Sequence, residues 1–256
     1  MSDTSGNGTN GRHGEQWPSA GVGAPTTTDA RPEPAPKRLA GALGFSLSTL
    51  RRRRPVRILL WTVVVGLALG GIGLLAYPFA TNIWADRIQG DLEQEFAAET
   101  PAKIKAYEAK SFKTGDAVTR IRIPSLSVDK VVVEGITGNA LRAGVGHYPT
   151  SALPGDSTGN VAIAGHRTGF GSPFRNLERL KEGDVIWLET PVGRYKYEVA
   201  APFDGHGNPW ITTAHDWSVV TQTPEPSLTL TSCDPPGTSK NRLIVRAVLT
   251  QSLPAA

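Results

Sequence analysis

Twenty-three consecutive uncharged residues, Ile58 to Ala80, rich in Leu, Val, Ile, Gly and Ala, interrupt this chain of 256 residues. As a helix, a run of that length crosses a hydrocarbon core of roughly 30 Å with a little to spare. Trp61 and Tyr77 fall near its two ends, where amphipathic rings settle at a membrane interface. Arg51, Arg52, Arg53, Arg54 and Arg57 precede the run, against Asp86 and Arg87 soon after it. That asymmetry predicts a cytoplasmic N-terminus and an extracytoplasmic C-terminal bulk. A cleaved signal peptide carries a shorter apolar region, about 7 to 15 residues, and a shorter leader. A twin-arginine export signal is the other competitor, but the run is long enough to stay in the bilayer. Residues 58–80 therefore read as an uncleaved transmembrane signal-anchor, with the lipid bilayer as a partner.

The anchor also divides the charge. The chain's formal net charge is +4, yet Lys37 and eight arginines face only Asp3, Glu15, Asp29 and Glu33 within residues 1–57. The remainder is close to neutral, so a basic nucleic-acid-binding domain has no support and no nucleic acid is expected as a partner. Residues 1–57 are dominated by Gly, Pro, Ser, Thr and Ala and read as a disordered, basic cytoplasmic tail. Beyond the anchor, residues 81–114 turn to Glu, Gln, Ala and Lys, with Ile88, Leu92, Phe96, Ile104 and Tyr107 at helical intervals. This predicts a polar helical stalk broken near Thr100-Pro101.

Residues 115–256 change character again, to short β-branched runs punctuated by Gly, Pro, Asn and Asp. Seven are evident: Val118 to Ile123, Lys130 to Glu134, Val161 to Ala164, Val185 to Glu189, Tyr195 to Ala200, Ser227 to Thr231 and Leu243 to Leu249. Such spacing without a long amphipathic helix argues for a mostly β domain, a barrel or a sandwich. Patterning alone does not choose between them.

Three places in this domain have reactive potential. Cys233, the only cysteine, ends the run Leu228-Thr229-Leu230-Thr231-Ser232; outside the cytoplasm it has no partner for an internal disulfide. His166 follows the apolar run Val161 to Ala164 after Gly165, at a strand end where an imidazole is both held and accessible. Arg242 opens the run Leu243 to Val248, which after the turn Pro235 to Asn241 runs back antiparallel beside the cysteine strand and brings Arg242 close to Cys233. A thiolate, an imidazole and a guanidinium together perform acyl transfer without a metal or organic cofactor.

The segments Gly165-His166-Arg167, Thr229 to Cys233 and Arg242-Leu243-Ile244-Val245, in that order behind an anchor, resemble the sortases, cysteine transpeptidases of Gram-positive bacteria. The likeness runs from about Ile121 through Val248 and includes Ile123 to Asp129, Gly144 to Pro149 and Pro154-Gly155. It implies a closed eight-stranded β-barrel with short helices, with His166 as general acid/base, Cys233 as nucleophile and Arg242 as the oxyanion or substrate-binding arginine. Arg246, on the same face of the strand, is the rival; Arg242 is preferred because the family's arginine immediately precedes the apolar run. Ser232 stands where the family usually has Thr. Ser232, Thr231, His147 and Tyr148 are the candidate substrate contacts.

The motif Gly165-His166-Arg167-Thr168 and the segment His147-Tyr148-Pro149 look most like class E sortases of actinobacteria. This implies as partners secreted proteins bearing a Leu-Ala-x-Thr-Gly or Leu-Pro-x-Thr-Gly sorting signal, and a cell-wall precursor or peptidoglycan amine. No second span follows near Gln251 to Ala256, so pilus assembly is not expected. Read residue by residue, His147 also suits a loop hydrogen bond and Trp210 and Trp217 suit packing. Asp129, Glu134 and Asp156 form no continuous calcium loop, and no metal is expected. Two other readings compete: a surface-binding β-domain with Cys233 as buried filler, and a different cell-wall thiol peptidase or transpeptidase.

Overall fold

The computed structural model describes residues 54–98, 100–202 and 206–255. The predicted disordered tail falls almost wholly outside them. Helix α1 (Arg54–Ala97) opens the described chain and α2 (Pro101–Glu108) follows. Among the described residues nine strands come next: β1 (Ala117–Ile123), β2 (Val128–Glu134), β3 (Val145–His147), β4 (Asn160–Gly165), β5 (Val185–Thr190), β6 (Gly193–Val199), β7 (Trp210–Thr213), β8 (Ser227–Asp234) and β9 (Asn241–Pro254).

Eight of these close a barrel in the order β6-β5-β1-β2-β3-β4-β8-β9, with β9 pairing back onto β6. Closure removes the free edges of an open sheet. The β2–β3 and β4–β8 pairs are parallel and the other pairs antiparallel. The 14 residues of β9 serve three neighbours: along one edge Asn241 to Val248 pair with β8, and along the other residues from Ala247 onward pair with β6 while Asn241 to Ile244 pair with β7. Two strands, β3 and β7, of three and four residues, went unread in the sequence.

Ile121, Ile163, Ile186, Leu188, Tyr197, Leu228, Leu230 and Val245 fill the barrel interior, all essentially inaccessible. Tyr195, Tyr197 and Val199 point in while Lys196 and Glu198 point out, as the period of a one-sided strand requires. β2 differs, because Val132 faces the barrel core while Val131 and Val133 face a second cluster with Leu92, Ala140 and Ala143. Both of its faces are covered, which is why Val131-Val132-Val133 reads as an unbroken apolar run.

What covers the outer face is α1. Its 44 residues rise about 66 Å, and it continues without interruption past Pro78 and Ala80. The apolar first half is exposed throughout and is long and apolar enough to cross a membrane. The second half does not stand free as a stalk. Thr81, Ala85, Gln89 and Leu92, on one helical face, are buried against the barrel. Ile88 and Phe96 pack beside them. Gln89 accepts from Val131 N at 2.8 Å and donates to Val131 O at 2.9 Å and Ala143 O at 2.7 Å. Its carboxamide offers β2 what a neighbouring strand would, on a stretch that β3 does not reach, since β3 pairs only with Val133 and Glu134. The helix ends ahead of Pro101, which opens α2 at a position where a missing N–H costs nothing.

Candidate active site

Parallel pairing of β4 with β8 matches Ala164 to Thr231. The two strands leave the barrel in step, so His166 and Cys233, each two residues further on, emerge side by side at one rim. Neighbouring strands lie about 4.8 Å apart. On the other side of β8, the antiparallel register makes Cys233 and Arg242 Cα partners. Arg242 is in turn matched to Thr212 of β7, so β7, the strand outside the barrel, closes the rim beyond it. Three consecutive strands thus deliver the imidazole, the thiol and the guanidinium to one place.

That place is a cleft of about 130 Å³ lined by Ile136, Leu141, Tyr148, Ala164, Gly165, His166, Thr231, Ser232, Cys233 and Arg242. Cys233 is a free thiol, partly exposed in the cleft and not sealed in the core. The Arg242 guanidinium donates to Ser239 O at 3.2 Å and Asn241 O at 3.0 Å, so the β8–β9 turn carries it. Arg246 pairs with Thr229, four residues from the rim, and donates to Val219 O. It is not among the cleft residues.

His166 is seated from several sides. Its backbone N–H donates to Gly144 O at 3.1 Å and its carbonyl accepts from Phe174 N at 3.1 Å. Phe170 stacks on the ring with centroids 4.9 Å apart. Burial pushes the imidazole below its ordinary value, and a hydrogen bond to the Leu141 carbonyl opposes the shift without cancelling it. The downward shift favours the neutral ring, the form that can act as a base. Gly165 precedes it for a steric reason: a Cβ there would lie 2.4 Å from the Phe174 ring, which is fully buried.

The remaining candidates separate into two groups. Thr231 and Tyr148 both line the cleft and share a hydrogen bond of 3.2 Å between their hydroxyls. Ser232 is buried and donates to Gly165 O at 2.8 Å, linking the residues just before the thiol and the imidazole. His147 does not line the cleft. It is buried, with Nδ1 at 2.8 Å from Glu134 and Nε2 near Ser151 Oγ and Ala152 O. Trp217 departs from the packing expected of it and is 62% exposed, while Trp210 stacks on His206. Asp129 pairs with Arg120 and Arg122, and Asp156 with Lys110. Among the described residues no three His, Cys, Asp or Glu side chains are grouped to hold a metal ion.

One residue of the site was passed over in the sequence. Arg167 is 6% exposed and reaches Arg175 O, Cys233 O, Asp234 and Glu178 with its three nitrogens. It ties the loop after His166 to the strand end that carries Cys233. A cation directly after a strand-end histidine was visible; which acidic groups it would meet was not.

The sequence model of the sortase domain matches residues 121–250, half of the chain. This chain belongs to the sortase family. Sortase SrtE1 of Streptomyces coelicolor is 30% identical over 222 residues, 80% of this chain, which in turn spans 61% of that relative's length. Sortase D of Bacillus subtilis is 30% identical over 69% of this chain and 87% of its own length. Among solved structures, a sortase D5 transpeptidase of Clostridium perfringens superposes with a TM-score of 0.56 at 28% identity, covering 64% of this chain and 99% of the other. The SrtF sortase of Corynebacterium diphtheriae gives 0.53 at 30% identity, covering 57% and 90%. Membership makes the cleft on β4, β8 and β9 the place to look for thiol chemistry.

Proposed function

We propose that this sortase is a membrane-anchored transpeptidase, with its tail in the cytoplasm and its barrel outside, that attaches secreted proteins to the cell wall. Its substrate is a C-terminal sorting signal, Leu-Ala-x-Thr-Gly in preference to Leu-Pro-x-Thr-Gly. The observation that carries the reading is the convergence of Cys233, His166 and Arg242 on one cleft from three adjacent strands.

The Cys233 sulfur attacks the threonine carbonyl carbon as its proton passes to the His166 imidazole. The C–S bond forms and the carbonyl oxygen takes up negative charge, which the Arg242 guanidinium meets with hydrogen bonds. Collapse breaks the Thr–Gly C–N bond, and the His166 imidazolium gives its proton to the departing glycine amine. A cell-wall peptide amine then attacks the thioester, loses a proton to His166, and displaces the thiolate, which is reprotonated. Water as acceptor gives hydrolysis. Thr231 and Tyr148 face the bound signal, and class E is the assignment favoured by Gly165-His166-Arg167-Thr168 and His147-Tyr148-Pro149.

The test is mass spectrometry of the full chain in micelles with a Leu-Ala-x-Thr-Gly peptide and an amine acceptor. The wild-type protein is expected to carry the peptide fragment on Cys233 and release the transpeptidation product; Cys233→Ala does neither. A wild-type protein that forms no adduct with either sorting motif ends this reading. The alternative of Cys233 as buried filler has no support in the partial exposure of the thiol.

A further inference from the structure

The loop after His166 contains four successive residues with left-handed backbones: Gly169 at φ +70°, Phe170 at +48°, Gly171 at +77° and Ser172 at +45°. Two of them are not glycine, and a bulky side chain such as that of Phe170 resists this region. A turn of this kind persists only where its surroundings fix it. Within the loop, Ser172 N donates to Gly169 O at 2.8 Å. From outside, α1 takes hold of it: Asn82 Oδ1 accepts from Gly171 N at 2.9 Å, and Thr81 Oγ1 stands 3.8 Å from where a Cβ on Gly169 would be.

These two residues directly follow the apolar run that ends at Ala80. The helix they belong to is itself seated on the barrel by the three hydrogen bonds of Gln89, by the ion pair of Lys130 with Asp86 at 3.6 Å and by Arg142 lying over Trp84. At the far side of the same turn, Phe170 stacks on His166. A continuous line of contacts therefore runs from the membrane helix to the imidazole.

We infer that Asn82 is a positioning residue for the acyl-transfer reaction: by holding Gly171 it maintains the left-handed turn that lays Phe170 on His166, so that the seat of the membrane helix sets the orientation of the catalytic imidazole. This rests on the role given to His166 above. Asn82 touches neither thiol nor substrate. Its influence passes through the turn alone, and it falls on steps in which His166 moves a proton, not on binding of the sorting signal.

The experiment uses the full chain in micelles, comparing wild type, Asn82→Ala, Asn82→Asp and Phe170→Leu. Two quantities are read: the turnover of a saturating sorting peptide with its KM, and the NMR resonance of the His166 Cε1–H, which feels the ring current of Phe170. Asn82→Ala is expected to lose about fivefold in kcat, the factor of one ordinary net hydrogen bond, with KM within about twofold. Its His166 resonance moves toward that of Phe170→Leu, while Asn82→Asp, which keeps the acceptor, holds both near wild type. The inference is overturned if Asn82→Ala keeps the wild-type resonance, whatever its rate, or if Phe170→Leu turns over like wild type; that second arm holds even where Asn82→Ala does not fold. A wild-type protein without turnover sinks the transpeptidase reading instead, and the resonance comparison still decides the link between Asn82 and the ring.

Discussion

Ser232 Oγ donates a 2.8 Å hydrogen bond to the carbonyl of Gly165, joining the residue before the thiol to the residue before the imidazole. Both ends of this bond are buried, and it crosses between the parallel strands β4 and β8 just beyond their last matched pair. It fixes how far apart the two rims open. Ser232→Ala is expected to cost about 1 kcal/mol of stability, the usual net worth of such a bond, and to lower turnover because the thiol and imidazole lose their common reference. Ser232→Thr keeps the hydroxyl and restores both. Thermal melting and steady-state kinetics on the pair of variants decide it; an alanine variant with wild-type kinetics removes the bond from the catalytic account.

Arg167 is the stronger clamp. Its guanidinium pairs with Asp234 at 3.3 Å and Glu178 at 3.0 Å and caps Cys233 O at 3.4 Å, from a nearly buried position. Arg167→Ala strands the Asp234 carboxylate, which is itself mostly covered, and is expected to destabilise the barrel by about 2 to 3 kcal/mol; the exposed end of Glu178 keeps the figure below that of a fully buried pair. Arg167→Lys keeps the charge but not the fork that serves several acceptors at once, and recovers only part. Denaturant unfolding of both variants measures this, and equal loss from Lys and Ala would show that the charge contributes nothing.

Stability should also depend on pH through His166. Unfolded, this residue titrates near its ordinary value of 6.5; folded, burial holds it lower. As the pH falls through 6.5 the unfolded chain takes up its proton first, so His166 draws stability down until the lower folded value is passed. Well above 6.5 neither state holds the proton and the residue contributes no slope. His166→Gln should therefore flatten the loss between pH 7.5 and 5 relative to wild type while leaving the alkaline side unchanged. An NMR titration midpoint for His166 at or above 6.5 contradicts the argument at its root.

How much of this was legible beforehand depends on chain separation. Cys233 and Arg242 lie on strands joined by one short turn, so their antiparallel meeting could be read from order alone. His166 and Cys233 are 67 residues apart on parallel strands, and nothing in local periodicity announces that β4 and β8 are neighbours. There the family resemblance carried what the pattern did not. β3 was missed for a different reason: its middle residue is Gly146, which sits so close to the Gly135 carbonyl that a Cβ would be 2.2 Å away, leaving no alternation to detect. The docked half of α1 read as a polar stalk because Ile88, Leu92 and Phe96 announce a helix but not what it packs on, and the rest of its contact face, Thr81, Ala85 and Gln89, carries no strong apolar signal.

Gln89 gives that docked face a direct test. Gln89→Leu is close in size but leaves Val131 N–H, Val131 C=O and Ala143 C=O without the partners they have now. The expected loss is about 2 to 3 kcal/mol, since unmade bonds in a covered interface carry their desolvation cost in full. Hydrogen exchange of the Val131 amide in micelles reports the same event locally, and it should quicken in the variant. An unchanged exchange rate would mean that α1 is not what protects β2 there.

The buried pair behind the cleft can be assigned by counting hydrogens. Ser151 Oγ donates to Tyr148 O at 2.7 Å, so toward Ala162 N at 3.1 Å and His147 Nε2 at 2.9 Å it can only accept. The Ala152 carbonyl, 3.0 Å from the same Nε2, also only accepts. His147 Nε2 must carry its hydrogen, and one further proton is then shared between Nδ1 and Glu134 across 2.8 Å, whichever partner holds it. The pair matters to the cleft because Tyr148, the next residue, reaches Thr231. Glu134→Gln still offers Nδ1 a donor and is expected to stay within about 1 kcal/mol of wild type. His147→Leu leaves the Glu134 carboxylate buried and alone, which should cost about 3 kcal/mol and raise KM for the sorting peptide as Tyr148 loosens. Denaturant unfolding alongside peptide kinetics separates the two, and a His147→Leu protein as stable as wild type would show that the pair is not what holds β2 to β3 behind the cleft.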